Sequence, residues 1–362
     1  MKAAIFVGQE EPLVIEEVTL DPPGPGQVQV KWSACGVCHS DVSIWNQTLP
    51  LPAPAVLGHE GAGVVATVGE GVTEFKTGDH VIGSFVPTCG ECFYCRSGQA
   101  YVCSKSLEIG MSCMPFNRPD GSKTMGAVGG LAGFSEETIV SPAAIVKIPE
   151  DFSLEQAALI GCGVTTGIGS AIYAAKVSEG STAVVIGCGG VGLAAIQGCK
   201  ISKAQTIVAV DPNPQRRKDA EELGATHSVD PSEVDAGEFV RGLTEGRGAD
   251  YAFEVVGNTT LQRQAYDITR PGGTVCWVGI PNMAAEVSVP AAMIALEAKT
   301  VVGTIYGNAN VKEDFVKLVK FAKKGDINLE KMVSRRIKLG EINEAFRAML
   351  EGEVIRSVIV HD

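Results

Sequence analysis

The chain has 362 residues, 45% of them hydrophobic and 20% charged, which is the composition of an ordinary globular protein long enough for two domains. Its formal net charge of -12 argues against nucleic acid or an anionic membrane as a partner, because both need a basic face. The sequence contains no run of about 18 apolar residues, so no transmembrane helix is predicted. The N-terminal stretch lacks the pattern of a signal peptide, and we therefore expect a cytoplasmic protein.

The first part of the chain predicts a β-rich domain. Residues 28–36 alternate polar and apolar side chains, and residues 61–69 and 79–85 are short β-type runs that end at glycine or at a charged residue. No strong helical period interrupts these runs before about residue 153. The stretch 104–134 has low periodicity and several glycines, and a loop of this length in a compact domain tends to be functional.

Cysteines cluster in this domain in a C-x2-C-x2-C-x7-C run. Because cytosolic thiols stay reduced, clustered cysteines favour metal binding over disulfides. A redox pair and four unrelated thiols are the alternatives, but a redox pair would not need the other two thiols. Zinc accepts four thiolates in a closed tetrahedral site. The run therefore predicts a structural zinc site made of Cys89, Cys92, Cys95 and Cys103. For the remaining cysteines outside metal motifs we predict small buried hydrophobic side chains: Cys35, Cys113, Cys188, Cys199 and Cys276.

A second set of possible metal ligands is dispersed along the chain. Cys38 opens the sequence Cys-His-Ser-Asp, His59 stands in Gly-His-Glu, and Cys162 lies between two glycines. Two cysteines and one histidine make an open, three-ligand set of the catalytic type. A lone histidine is more often a core residue, but the glycines around His59 disfavour an ordinary strand.

From residue 164 the pattern changes to alternating strands and helices. The continuous apolar run 182–187 predicts a parallel strand covered on both faces, and further strands are predicted at 206–211, 249–257, 274–280 and 300–307. This alternation predicts a doubly wound parallel sheet. Two amphipathic helices and a final strand follow, and we expect this tail to return to the first domain. The predicted domains are 1–163 with 306–362, and 164–305.

A glycine motif follows the first of these strands and opens a helix. Gly187 permits the tight turn, Gly189 lets the backbone approach a pyrophosphate, and Gly192 permits close packing of helix on strand. Asp211 ends the next strand, roughly 20 positions later, where an acidic residue accepts hydrogen bonds from the ribose hydroxyls. Its carboxylate would repel a 2′-phosphate, which favours NAD over NADP. A glycine turn followed by a helix-capping aspartate is the simpler alternative.

The motifs together resemble those of the zinc-dependent alcohol dehydrogenases in the medium-chain dehydrogenase/reductase family. Order and spacing match over essentially the whole chain, in the motifs at 38–41, 58–60, 89–103, 161–163 and 187–192. The resemblance is to the long-loop branch, which includes liver-type and aryl-alcohol enzymes. It implies an α/β protein with an N-terminal β-rich GroES-like catalytic domain and a Rossmann doubly wound parallel sheet. It also implies NAD, one catalytic and one structural zinc per chain, and a homodimer or homotetramer.

The resemblance also implies roles for individual residues. Cys38, His59 and Cys162 match the catalytic zinc ligands, and Ser40 matches the hydroxyl that takes the alcohol proton. Asp41 and Glu60 match carboxylates that orient and tune the site, and Phe85 falls at a substrate-pocket position. Cofactor-binding positions are matched by His39, Thr166, Gly187, Gly189, Gly190, Val191, Gly192, Asp211, Arg216 and Arg356.

Three features depart from well-known members of that family. His39 stands where animal liver-type enzymes have an arginine against the pyrophosphate, although other members use histidine. Ser43 stands where the same enzymes carry the histidine that ends the proton relay, so the relay from Ser40 would exit through the ribose hydroxyl and water or directly to solvent. The loop 104–134 does not show the anion-binding arginine expected of glutathione-dependent formaldehyde dehydrogenases.

We therefore expect an NAD-dependent zinc alcohol dehydrogenase acting reversibly on a small primary alcohol or aldehyde, of the aromatic, allylic or medium-chain type. An S-(hydroxymethyl)glutathione (formaldehyde) dehydrogenase would use the same machinery and is the alternative within the enzyme class. A non-catalytic dinucleotide-binding protein is the alternative of another class, and relatives of that kind lack the catalytic ligands that are present here. A purely structural zinc protein would leave the glycine motif unexplained.

Overall fold

The computed structural model describes residues 1–113 and 115–361, so Met114 in the long loop and the terminal Asp362 lie outside the described residues. The chain divides into two compact units. The first unit comprises Met1–Cys162, Asn310–Gly325 and Leu329–Asp362, and the second comprises Gly163–Ala309 and Asp326–Asn328.

The division differs slightly from the predicted boundaries, 1–163 with 306–362 and 164–305. The clearest difference is at 306–309, which belong to the second unit. The reason is a close backbone contact: a Cβ on Gly307 would lie 2.6 Å from the Thr165 carbonyl oxygen and 2.7 Å from Gly169 Cα. The turn at Tyr306–Asn308 is therefore packed against the second unit's first helix, and the chain leaves that unit only after it.

The strands, numbered along the chain, are β1 (Lys2–Phe6), β2 (Val14–Glu17), β3 (Thr19–Leu20), β4 (Val28–Gly36), β5 (Ala55–Val56), β6 (Glu60–Val68), β7 (His80–Gly83), β8 (Phe116–Asn117), β9 (Lys123–Gly126), β10 (Glu137–Val140), β11 (Ile145–Lys147), β12 (Thr182–Ile186), β13 (Thr206–Val210), β14 (His227–Val229), β15 (Ala249–Glu254), β16 (Thr269–Trp277), β17 (Thr300–Gly303), β18 (Arg335–Ile337) and β19 (Ser357–Val360).

The α-helices are α1 (His39–Trp45), α2 (Phe93–Arg96), α3 (Ser106–Gly110), α4 (Leu154–Leu159), α5 (Thr165–Gly169), α6 (Gly190–Ile201), α7 (Pro214–Leu223), α8 (Ala236–Leu243), α9 (Thr259–Ile268), α10 (Ala291–Leu296), α11 (Val311–Lys324) and α12 (Ile342–Leu350). A π-helical turn, Ile160–Val164, joins α4 to α5, and a second one, Ser170–Ala174, follows α5. The helical stretch Leu154–Ala174 is thus continuous.

The first unit is built on two sheets. Their strand orders are β2-β1-β5-β9-β8-β3 and β11-β7-β6-β4-β19-β18, with β10 also paired to β4. The alternating pattern of residues 28–36 explains β4, because its apolar side chains Val28, Val30, Trp32 and Ala34 are all buried. β19 pairs antiparallel with β4, Val358 opposite Gly36, so the C-terminal tail completes the sheet of the N-terminal domain.

The second unit contains one parallel sheet with the order β14-β13-β12-β15-β16-β17. β12 and β13 are buried along almost their whole length, which is why their sequences read as continuous apolar runs. Helices connect the successive parallel strands, as parallel pairing requires. The predicted α/β class with a doubly wound parallel sheet is confirmed.

The helical stretch Leu154–Ala174 is unusually long and apolar. Among the described residues, Leu154–Ala174 is long and apolar enough to cross a membrane, by length and composition only. Of its most apolar window, 78% is buried inside the structure, as in the core helix of a folded domain. Gly167 and Gly169 in this stretch let it pack closely on its neighbours.

Candidate metal centres and dinucleotide site

The dispersed ligands converge in the first unit. One potential ligand atom each from Cys38, His59, Glu60 and Cys162 lies within 4.8 Å of all the others, and all four residues are buried. Three of these residues are the predicted catalytic ligands. Glu60, predicted only to orient the site, contributes its carboxylate to the same group.

The sheet explains the convergence. β4 pairs antiparallel with β6, with Gly36 opposite Glu60, so that Cys38 and His59 lie just beyond the same end of the ladder. Gly161 allows the helical stretch to approach, since a Cβ there would lie 3.1 Å from the Gly83 carbonyl oxygen and 3.4 Å from Glu60 Cα. This close approach carries Cys162 to the other two ligands.

Asp41 orients two of the three predicted ligands. It is fully buried, its Oδ1 lies 3.0 Å from His59 Nδ1, and its Oδ2 accepts the Cys38 backbone N–H at 3.3 Å. Oδ1 also accepts the Gly58 N–H at 3.1 Å. A carboxylate on one ring nitrogen fixes the orientation of a ligating histidine and leaves the other nitrogen for the metal. The predicted orienting role of Asp41 matches this geometry.

The thiols and the ring form a set of donors suited to a soft divalent cation. The neighbouring Cys162 thiol, Arg356 and His59 lower the pKa of Cys38 well below its usual value, despite burial. Burial lowers the pKa of His59, but the charges of Asp41 and Cys38 outweigh it and raise that pKa overall. An anionic thiolate beside an imidazole is the state that zinc binds, with release of the ring proton. The residues therefore fit a zinc ion.

Arg356 forms a buried ion pair next to this group. The resemblance implies a cofactor-binding role for Arg356, and in the structure its guanidinium lies 3.0 Å from Glu60 Oε1 and donates to the Val37 carbonyl at 3.3 Å. Its side chain is 5% exposed and that of Glu60 is 0% exposed. Burial raises the pKa of Glu60 to about 7, although Arg356 acts in the opposite direction. The long-range pair had no signal in the sequence, because 296 residues separate its members.

The other residues predicted around the catalytic zinc lie at different depths. Ser40 is half-buried, with Oγ at 3.9 Å from Cys38 Sγ, and the Phe85 ring stands edge-on to the His59 ring at 5.6 Å. His39 is exposed at the start of α1, and Ser43 is half-buried one helical turn after Ser40. Ser40 and Phe85 are thus the predicted neighbours that the structure brings against the metal group.

The four-cysteine loop also folds into a compact group. One sulfur atom each from Cys89, Cys92, Cys95 and Cys103 lies within 4.8 Å of all the others. Backbone N–H groups point at the sulfurs: Cys92 N donates to Cys89 Sγ at 3.3 Å, and Cys95 N to Cys92 Sγ at 3.5 Å. The backbone N–H groups of Cys95 and Ser104 lower the pKa of Cys92 to about 5. Four thiols held this close together, with backbone N–H groups directed at their sulfurs, fit a closed zinc site.

The remaining cysteines behave as predicted. All five are free and buried: Cys35, Cys113, Cys188, Cys199 and Cys276. Burial raises the pKa of Cys199, Cys188 and Cys276 above its usual value, so these thiols stay protonated. They are inert core side chains.

The glycine motif occupies the turn between β12 and α6 in the second unit. Gly187 has φ +95°, a conformation that glycine adopts without strain, and a Cβ on Gly192 would overlap the Gly187 carbonyl oxygen. A Cβ on Gly189 would meet nothing within 4 Å, so this backbone faces open space. Gly190 and Val191 form the first turn of α6. The motif thus leaves a helix N-terminus accessible, as binding of a pyrophosphate requires.

Asp211 follows β13 and is almost fully buried, at 3% exposure. Its Oδ2 accepts the Cys188 backbone N–H at 2.8 Å and its Oδ1 accepts the Asn213 N–H at 2.9 Å. The carboxylate is therefore held directly beside the glycine motif, where a ribose would lie. The adjacent Arg217 donates to the Asp211 carbonyl and to Asp230, both at 2.8 Å, and sequence reasoning missed this support.

Two further predicted cofactor residues lie on neighbouring helices of the second unit. Arg216 is in the first turn of α7, where its N–H donates to the capping Asn213 Oδ1 at 3.3 Å. Thr166 is on α5, whose Gly167 packs so closely on α6 that a Cβ there would lie 2.6 Å from Ala194 Cβ. Thr166 is thus on a helix that packs against α6, the helix that follows the glycine turn. Arg216 is on the helix that follows Asp211 in the chain.

Comparison with known proteins identifies the family to which the chain is similar. Residues 24–150 match the family model of the alcohol dehydrogenase GroES-like domain, and residues 190–324 match that of the zinc-binding dehydrogenases. The chain is 40% identical over 366 residues to an NDMA-dependent alcohol dehydrogenase of Amycolatopsis methanolica, covering 99% of this chain and 98% of the relative.

Two other similarities cover the whole chain. It is 38% identical to a probable S-(hydroxymethyl)glutathione dehydrogenase 1 of Schizosaccharomyces pombe, over 99% of this chain and 96% of that protein. The crystal structure of benzyl alcohol dehydrogenase from Acinetobacter calcoaceticus superposes with a TM-score of 0.92 at 28% identity, covering 100% of this chain and 99% of that one.

Proposed function

This chain belongs to the zinc-dependent alcohol dehydrogenases of the medium-chain dehydrogenase/reductase family, and we propose that it oxidises a primary alcohol with NAD, reversibly. The observation that supports this best is the buried group of two cysteines and one histidine. The aromatic ring of Phe85 beside His59 supports an aromatic, allylic or medium-chain alcohol as substrate. The structural similarity to a benzyl alcohol dehydrogenase points in the same direction.

Each residue of the proposed site has a defined task. When bound, zinc would supply a Lewis acid and NAD a hydride acceptor. Cys38, His59 and Cys162 would hold the metal, and Asp41 would keep His59 and Cys38 in place through the contacts described above. Ser40, half-buried next to Cys38, would take the alcohol proton. The closed four-cysteine group would hold a second zinc that stabilises its loop.

The preference for NAD rests on Asp211. The carboxylate is fixed by the Cys188 and Asn213 N–H groups, keeps lone pairs for the ribose hydroxyls, and would repel a 2′-phosphate. The NDMA-dependent relative raises a second possibility, that turnover needs NDMA as well as, or in place of, NAD in solution. Assays with NAD alone, with NDMA alone and with both distinguish the two cases.

The glutathione-dependent reaction is the competing proposal, because one relative is a probable S-(hydroxymethyl)glutathione dehydrogenase. That substrate carries carboxylates that a free cationic side chain would bind. Arg118 is the arginine of the loop 104–134, and its guanidinium is already engaged by Glu16 through two hydrogen bonds, at 2.9 and 2.7 Å. The contact favours a simple alcohol over the glutathione adduct.

A single screen tests the proposal. The metal-loaded protein is assayed for NAD reduction with benzyl, allyl and medium-chain alcohols, and with formaldehyde in the presence and absence of glutathione. We expect activity with at least one primary alcohol and none that depends on glutathione, with Cys162→Ala inactive throughout. Activity only with formaldehyde plus glutathione would establish the competing function, and no NAD reduction under any condition would refute the proposal.

We also propose a homodimer or homotetramer in the cytoplasm, with no nucleic acid or membrane partner. The net charge of -12 supports the last two points. Light scattering after gel filtration measures the oligomeric state directly.

A further inference from the structure

A buried glutamate ends β15 in the second unit and is not part of the proposed reaction. Glu254 is 0% exposed, and its Oε1 accepts three successive backbone N–H groups of the turn that follows: Val256 at 2.9 Å, Gly257 at 2.7 Å and Asn258 at 3.1 Å. Burial raises the pKa of Glu254, while these N–H groups act against the shift. One oxygen thus determines the path of the whole turn between β15 and α9.

This turn lies against the glycine motif. Ile186, the last residue of β12, pairs with Glu254, and its carbonyl accepts the Val255 N–H at 3.0 Å. A Cβ on Gly187 would lie 2.5 Å from Val256 Cγ2, so the valine side chain occupies the space beside the glycine turn. Val256 is nevertheless 55% exposed. An apolar side chain held half in solvent beside a dinucleotide motif is available to a bound dinucleotide.

The same glutamate holds a second loop, which follows β16. The Glu254 carbonyl accepts the Val278 N–H at 2.9 Å and the Gly279 N–H at 3.0 Å. The two loops are in backbone contact, since a Cβ on Gly257, which has φ +87°, would lie 2.6 Å from the Ile280 carbonyl oxygen. Ile280, like Val256, is 55% exposed. Displacement of the first turn would therefore displace the second.

We propose that Glu254 is a positioning residue for the dinucleotide: its carboxylate fixes the β15–α9 turn so that Val256 forms a wall of the site opened by Gly187. The inference rests on the proposed binding of NAD. The required property is a hydrogen-bond acceptor at the place of Oε1. Glutamine supplies such an acceptor with nearly the same shape, whereas alanine leaves three N–H groups without their partner.

The test measures binding of NAD alone to the metal-loaded protein by calorimetry, for the wild type, Glu254→Gln and Glu254→Ala. We expect Kd to change by less than about threefold in Glu254→Gln and to rise by about tenfold or more in Glu254→Ala, in line with the loss of a buried hydrogen-bonding centre. In steady-state assays with an alcohol substrate, Glu254→Ala should raise KM for NAD by a larger factor than it lowers kcat.

Asp250→Ala is the matched control. Asp250 lies at the opposite end of β15, accepts the Thr182 N–H at 2.7 Å, and pairs with Arg270 at 2.6 Å. The Asp250→Ala substitution should lower the stability of the second unit against unfolding by urea. It should change Kd for NAD by less than about threefold, as expected for Glu254→Gln. Equal Kd values for Glu254→Ala and wild type, equal weakening by glutamine and alanine, or equal weakening in Asp250→Ala would each overturn the inference. Failure of the wild type to bind NAD would instead refute the proposed cofactor.

Discussion

A single residue can serve the fold and a ligand at once, and Asp211 illustrates this. Its two oxygens already accept the Cys188 and Asn213 N–H groups, at 2.8 and 2.9 Å. Each carboxylate oxygen can accept a second hydrogen bond, so both oxygens keep acceptor capacity for a ribose. A residue with both roles is expected to affect cofactor choice as well as stability.

Replacement of Asp211 by glycine tests that role. It removes an acceptor for the ribose and a charge that repels a 2′-phosphate, each of the order of 1–3 kcal/mol when buried. We expect the ratio of kcat/KM with NAD to that with NADP to fall by about tenfold or more. Steady-state kinetics with both cofactors measure the ratio, and Asp230→Asn, which removes a nearby carboxylate charge that pairs with Arg217 and accepts hydrogen bonds from Ser232, is the control. An unchanged ratio would show that Asp211 does not contact the ribose.

Ser40 and Ser43 offer a matched pair for the proton relay. Both are half-buried on α1, but Ser40 Oγ lies 3.9 Å from Cys38 Sγ, and Ser43 is one turn further on. We expect Ser40→Ala to lower kcat for alcohol oxidation by about 100-fold or more, as for loss of a general acid-base group. Ser43→Ala should change kcat by less than about threefold, because a serine does not titrate near neutral pH as histidine does. A large loss in Ser43→Ala would place that hydroxyl in the relay.

At the scale of elements, short segments with little hydrophobic core depend on other constraints. The loop that carries the four cysteines contains the short helix α2, which has no buried residue and exposes Phe93 at 70%, and one 3-10 turn, in which Ala100 alone is buried. Such a segment cannot be stable through burial alone, so its conformation must come from the group of four sulfurs. Its metal should therefore contribute to folding rather than to turnover.

Cys92→Ser should lower the zinc content by one per chain and reduce the melting temperature, because structural zinc contributes folding free energy directly. The control is Cys113→Ser, which changes a buried thiol outside both metal groups and should keep the full zinc content. Metal analysis by mass spectrometry together with calorimetric melting checks both values. Full zinc content with unchanged melting in Cys92→Ser would exclude a structural zinc at this loop.

At the scale of the whole molecule, distant parts of the sequence meet in the first unit. β19, from the end of the chain, pairs with β4 near the beginning, and this pairing brings Arg356 to Glu60. Both side chains are buried, so each charge depends on the other for compensation. The C-terminal tail therefore supports the surroundings of the metal group as well as the sheet.

Arg356→Met should lower the stability of the first unit by about 3 kcal/mol, because it leaves a buried carboxylate without its partner. Arg336→Met is the matched control: Arg336 also pairs with two glutamates, at 2.6 Å each, but is 45% exposed, and surface pairs contribute at most about 1 kcal/mol. Urea unfolding followed by tryptophan fluorescence gives both values. Equal effects of the two substitutions would mean that the Glu60 pair is not buried in solution.

Features that depend on local spacing could be predicted from the sequence. The four-cysteine loop, the glycine turn at 187–192 and the alternation of strands and helices after residue 164 each lie within a short stretch, where backbone geometry follows from neighbouring residues. These features sufficed to predict the α/β class and the structural metal site, whereas Cys38, His59 and Cys162 were nominated as ligands by three separate short motifs and by the family resemblance. The structure brings these three ligands together, but no single motif predicts that they lie close to one another.

Contacts between residues far apart in the chain could not be predicted in this way, because they depend on how the whole chain packs. The β4–β6 register places Glu60 with the metal ligands, the β19–β4 pairing gives Glu60 the Arg356 partner, and the strand order places Glu254 beside Gly187. The tertiary structure also assigned the turn at 306–308 to the second unit, through the backbone contact of Gly307. Periodicity reports which face of an element is buried, but not what covers it, because the partner is chosen by the packing of the whole chain.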